Sequence, residues 1–181
     1  MRSLLLAILA LAASCAPPPA PPPEPSQEVT APLLRADQRT ILNGPEALKL
    51  THQCSRISPG PVQSQWTPTD AQIAALEPTL ASVIATHLQA TGSQASPGDY
   101  YRQYAGFTIR GRRVIYVNGV ASTAIEQTDP AHAFDWHTQA VQVCDGGPIT
   151  FGVEYDVATT YFSLFAFNGD LGASAPSAPA Q

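Results

Sequence analysis

The chain has 181 residues, 44% of them hydrophobic, and a formal net charge of −5 with 9 basic against 14 acidic side chains. That length buries one core of ordinary size. The acidic balance argues against nucleic acid or anionic lipid as the main partner, and past Cys15 no apolar segment is long enough to cross a bilayer.

In chain order, Met1-Arg2-Ser3 is a short basic region and Leu4 to Ala13 an apolar one, the pattern of a secretory signal peptide. It ends Leu11-Ala12-Ala13-Ser14-Cys15. Here the chain resembles bacterial lipoproteins, whose signal closes on a leucine and small residues before a cysteine. The resemblance covers only the residues up to Cys15, and it departs at Ala12, where the leucine usually stands. It implies removal of residues 1–14, a thioether-linked diacylglycerol on Cys15, and attachment to a membrane through that N-terminal lipid, with palmitate as a typical acyl chain. Ala16 is not the aspartate that retains such proteins at the inner membrane, so the resemblance implies the outer membrane, facing periplasm or exterior. Plain secretion, with cleavage near Ala12 or Ser14, is the alternative.

Residues 15–32 form a linker in which Ala16 to Pro25 is mostly proline, a composition that favours polyproline II and makes a semi-rigid spacer of about 3 Å per residue. With Cys15 carrying lipid, Cys54 and Cys144 remain to pair as a disulfide in an oxidising compartment. Residues 33–172 are expected to be a single α+β domain and residues 173–181, all Ala, Ser, Pro and Gln, a disordered tail.

Within the domain, a short helix is expected around Ala36–Leu42 and a turn at Asn43-Gly44-Pro45. Leu48, Leu50, His52 and Cys54 fall on one side of an extended run, which predicts a strand over 47–54; Glu46 to Leu50 reads equally as a helix start. Thr67-Pro68-Thr69-Asp70 is a helix-start signal with Thr67 as N-cap. Ile73, Leu76, Leu80, Val83, Ile84 and His87 or Leu88 then form one apolar stripe, ended by Gly92. Pro78 either kinks that helix or divides it. Strands are expected over Tyr100–Ile109 and Val114–Val120, with Arg110-Gly111-Arg112-Arg113 as the hairpin tip. The stretch from Gln139 to Gly169 reads as three strands, with Asp145-Gly146-Gly147-Pro148 as a turn. Ile149, Phe151, Val153 and Tyr155 make the buried side of one strand and Thr150, Gly152, Glu154 and Asp156 its wet side. Tyr161 to Phe167 is apolar on both sides, which suggests a central strand or one with a face under a helix.

The predicted fold is therefore α+β: one amphipathic helix packed on an antiparallel sheet of four to five strands, with the helix preceding the strand meander. The element order resembles a cystatin-like topology, which implies no function. The combination of Cys54-Ser55-Arg56, Trp66-Thr67-Pro68, Tyr101-Arg102-Gln103-Tyr104, Ile115-Tyr116-Val117-Asn118 and Cys144-Asp145-Gly146-Gly147 resembles bacterial envelope proteins of no known activity.

Three groups of side chains carry candidate chemistry. Arg102, Arg110, Arg112 and Arg113 are the basic cluster, suited to an anionic partner or simply to a solvated turn. His132, Asp135 and His137, with Asp129, gather residue types that ligate zinc, although their spacing matches no standard site. Cys144 beside Asp145 has the makings of a thiol nucleophile with His132 or His137 as base, and Glu154 with Asp156 of a carboxylate pair. A disulfide and a strand's wet side are the plainer readings. No phosphate loop or hydrolase motif is present, and no cofactor is expected. The leading expectation is a lipid-anchored, non-enzymatic envelope protein that binds, inhibits or assists another envelope protein or polysaccharide. The alternative is a small envelope hydrolase or metal-binding protein using the 129–137 loop.

Overall fold

The computed structural model describes residues 34–126 and 134–169. The predicted leader, linker and tail, and with them Cys15, lie outside the described residues, as do Asp129 and His132.

Two long strands form the centre. β3 (Tyr100–Ile109) and β4 (Arg112–Ala121) make an antiparallel ladder from Tyr100 opposite Ala121 to Ile109 opposite Arg112. The connection is only Arg110-Gly111, both left-handed at φ 51° and 74°. Two successive positive φ values give the turn whose twist matches the strands it joins, and the predicted tip contracts to those two residues. β5 (Thr150–Asp156) and β6 (Tyr161–Phe167) continue the antiparallel meander. On its other side β3 carries β1 (Arg39–Ile41), parallel, and β2 (Val62–Trp66), antiparallel.

The sheet thus has six strands in the path β1-β3-β4-β5-β6 with β2 beside β1 on β3, one more than predicted and mixed. β1 runs parallel to β3 across a long connection that holds two α-helices and β2, as a parallel pair requires a crossover and not a tight turn. β6 is an outer strand, not a central one: Phe162, Phe165 and Phe167 pack into the core beneath the long helix, a bulge shifting the alternation between them, and Tyr161 and Leu164 are exposed.

The helix α2 (Asp70–Thr91) is one uninterrupted element of 22 residues. Its N-cap is Thr69, two residues later than expected: the Thr69 hydroxyl accepts from the Gln72 amide at 3.2 Å and Gln72 Oε1 accepts from the Thr69 amide at 2.9 Å. Gly92 ends it at φ 69°. Pro78 neither ends nor divides it. The ring and Ala74, whose carbonyl loses its helical donor, both face water. Ile73, Leu76, Leu80, Ile84 and Leu88 bury against Tyr104, Ile115, Val117, Phe151 and Phe167.

The opposite face of the sheet is covered as well. The expected strand 47–54 is instead α1 (Gly44–Lys49), whose Ala47, with Leu42 and Leu50 at its ends, packs on Phe107, Ile109 and Val114. Residues 51–56 and 134–146 complete the layer. Trp136 and Val141 rest on Val120, and Val141 to Cys144 lies across the sheet without joining it as a strand. Cys54 and Cys144 form a disulfide with Cα atoms 5.4 Å apart, which joins the two halves of this layer. The expected helix at 36–42 reduces to a 3₁₀ turn, Ala36–Gln38, leading into β1. After β4 the chain makes one short helix, α3 (Ser122–Glu126).

Candidate functional site

The β3–β4 tip gathers Arg110, Arg112 and Arg113, all exposed. The hairpin alone places them, since residues flanking a two-residue turn project from the same end of the sheet. Each has a different partner. Arg112 Nη1 donates to Asp156 Oδ2 at 2.9 Å, and its Nη2 lies 3.6 Å from Glu154 Oε2. The Arg113 guanidinium lies over the Trp66 ring, 4.0 Å from its centroid, a cation–π contact that orders the side chain. The Arg110 guanidinium lies beside Gly60, 3.2 Å from where a Cβ there would stand. Among the described residues neither Arg110 nor Arg113 is in an ion pair. A cleft of about 420 Å³ lies between this tip and the β5–β6 turn at Val157–Thr159.

Arg102 departs from the predicted cluster. It sits near the other end of β3, wholly buried on the α2 face, about 20–26 Å away at 3.3 Å per residue. Its Nε and Nη2 donate to Glu77 Oε1 at 3.2 and 3.1 Å, Nη1 to the Tyr100 carbonyl at 2.6 Å and Nη2 to the Arg35 carbonyl at 2.6 Å. Tyr104 donates to the same Glu77 oxygen at 3.0 Å, and Arg39 donates to the other at 3.0 Å. Burial raises the Tyr104 phenol far above its ordinary value. This is a structural ion pair that pins α2 and β1 to β3, and a surface partner has no access to it.

A second buried polar group, absent from the sequence-based list, fastens the covering layer. Arg56 donates to the Tyr116 hydroxyl at 3.2 Å, to Asn168 Oδ1 at 3.0 Å and to Asn118 Oδ1. Asn118 Nδ2 donates to Gln103 Oε1 at 3.0 Å, which also accepts from the Val141 amide at 2.8 Å. Gln103 Nε2 donates to the carbonyls of Trp136 and Gln139 at 2.7 and 2.6 Å. The 134–146 segment has no strand ladder, so side chains of β3 and β4 satisfy its backbone. Gly152 is a glycine because a Cβ there would stand 2.3 Å from the Tyr116 hydroxyl and 2.6 Å from Arg56 Nε.

The predicted wet side of β5 lies under this same layer: Thr150, Gly152, Glu154 and Asp156 are all buried. Alternation along β5 is genuine, but both faces are covered, so polarity there marks internal pairing instead of solvent. Among the described residues neither carboxylate oxygen of Glu154 has a hydrogen-bond donor. Desolvation raises its pKa, against the pull of Arg112 and Arg110. Asp156 is held below its usual range, chiefly by the Thr159 amide.

Asp135 and His137 do not converge on a common point. Asp135 is bound into its own turn, accepting from the His137 amide at 3.0 Å and the Thr138 hydroxyl at 2.8 Å, and the Thr138 contact leads the lowering of its pKa. The His137 ring lies on Trp136, centroids 3.9 Å apart. His132 lies outside the described residues. Among the described residues no group of three His, Cys, Asp or Glu side chains is placed to hold a metal ion, and no helix is long and apolar enough to cross a membrane. Cys144 is half of the disulfide and is no free thiol. His52 is exposed, whereas His87 is half-buried and stacks on Phe165 at 3.9 Å.

No known protein family, no curated protein and no solved structure matches the chain.

Proposed function

We propose that this is a lipid-anchored cell-envelope protein whose disulfide-stapled α+β domain is a binding module, tethered through Cys15 and its proline-rich spacer and engaging an acidic envelope macromolecule through the β3–β4 tip. One observation carries the reading. On a chain of net charge −5, two arginines stand exposed at one corner and in no ion pair among the described residues, Arg113 ordered on Trp66 and Arg110 lying beside Gly60. Ordered cationic side chains lose little conformational entropy on meeting an anion. Arg112 shares the tip, but its charge is spent on Asp156, which braces the hairpin.

Two measurements test it. Cells fed an alkyne fatty acid should label the wild type and not Cys15→Ser, and the variant should leave the membrane fraction. The full chain should co-sediment with purified cell envelopes in a salt-dependent manner, and Arg110→Gln/Arg113→Gln should abolish most of that. Labelling without a salt-dependent, arginine-dependent interaction would keep the anchor and remove the tip; an unlabelled wild type would remove the anchor.

A further inference from the structure

Among the described residues the sheet's one long free edge is β6. It pairs with β5 on one side and with nothing among the described residues on the other. Protein edges are ordinarily blunted by lysine, proline, inward charges or a bulge; β6 is Tyr161-Phe162-Ser163-Leu164-Phe165-Ala166-Phe167, with a bulge but no lysine, proline or charge. Tyr161 and Leu164 are 70% and 54% exposed. Leu164 reaches outward through a bulge, at φ 54° opposite a register shift in β5. The helix beside this edge has the same character. From Pro78 to Thr91 α2 contains no charged residue, though half of it faces water. Between the two lies a groove of about 470 Å³, walled by Thr79, Val83 and His87 on one side and by the first half of β6 on the other. A solvent-facing helix and an edge strand that both lack charge form one continuous neutral surface.

We propose that this surface is an interface between two copies of the chain, β6 of one pairing antiparallel with β6 of the other about a twofold axis. Three observations select a second copy as the occupant. An antiparallel edge is self-complementary under a twofold axis, so one patch serves both partners. A twofold axis perpendicular to the sheet sets both α2 helices on the same side, which brings the two grooves together over the joined edges. Copies carrying −5 each repel one another, and this neutral patch is where that repulsion is least.

The test uses the full-length chain in detergent. Sedimentation at about 100 µM should show a dimer, and Leu164→Lys, which sets like charges facing each other across the axis, should weaken it about tenfold or more. Leu164→Cys should give a covalent dimer under oxidation, whereas Ile57→Cys, more exposed but beside the covering layer, should not. A wild type that is monomeric at that concentration, a dimer indifferent to Leu164→Lys, or equal cross-linking from both positions would overturn the proposal. A monomer in which Leu164→Cys/Leu171→Cys closes within one chain would overturn it too, and would name the chain's own tail as the occupant of the edge.

Discussion

Arg102 and Glu77 show what a buried charge requires of its neighbours. The guanidinium is fully enclosed and is neutralised by one carboxylate, two backbone carbonyls and a phenol. Removing one partner strands the other in a medium that solvates it poorly. Arg102→Leu should therefore cost about 3–5 kcal/mol in urea unfolding, and Arg102→Leu/Glu77→Leu should recover much of that loss. Glu154 is the contrasting case, a buried carboxylate with no hydrogen-bond donor among the described residues and with Arg112 no nearer than 3.6 Å. Its native pKa lies above the ordinary 4.5, so the folded chain holds this proton to higher pH than the unfolded chain does. Stability therefore falls as pH rises from 4.5 through the native pKa and is flat above it. Glu154→Gln should lose that component and match or exceed the wild type at neutral pH. Equal pH slopes for the two proteins between acid and neutral pH would refute this. Neither role was legible in the sequence: Arg102 reads as a surface arginine, and Glu154 as the wet side of a strand.

Among the elements, β3 and β4 were legible almost to the residue, because alternation and an Arg-Gly reversal are local signals. β2 was not. Val62-Gln63-Ser64-Gln65-Trp66 is polar and largely exposed, and an edge strand of that kind owes its pairing to the register β3 offers, which no local pattern records. The covering layer was equally hidden, since the 134–146 segment is held by Gln103 and Asn118 and α1 by that segment, through Glu46 to the Ala140 amide and Gln142 to the Lys49 carbonyl. Its disulfide spans 90 residues, for which chain entropy predicts about 4–5 kcal/mol. Cys54→Ser should lower the melting temperature by many degrees while leaving α2 and the central ladder as the last parts to exchange amide protons. Pro78 sits on the exposed side of a continuous helix, so Pro78→Ala should restore a donor to the Ala74 carbonyl and stabilise the protein, by up to about 3 kcal/mol. A loss of stability instead would mean that the proline ring itself packs.

For the whole molecule, the three layers explain how a modest chain carries a sheet buried on both faces. α2 covers one face, and the stapled layer covers the other, leaving the sheet's periphery for interaction: the arginine tip at one corner and the neutral β6 edge along one side. The sequence by itself determined the α+β class, the long helix, the four-strand meander and the cysteine pair, because periodicity, capping residues and cysteine count are properties of short stretches or of a simple tally. Tertiary structure alone decided that β6 is an edge, that β1 is parallel, that Arg102 is internal and Arg113 is not, and that the polar side of β5 is dry. Each of these depends on which distant segment lies on top, and burial is a property of the assembled layers, not of the residue or its neighbours in the chain.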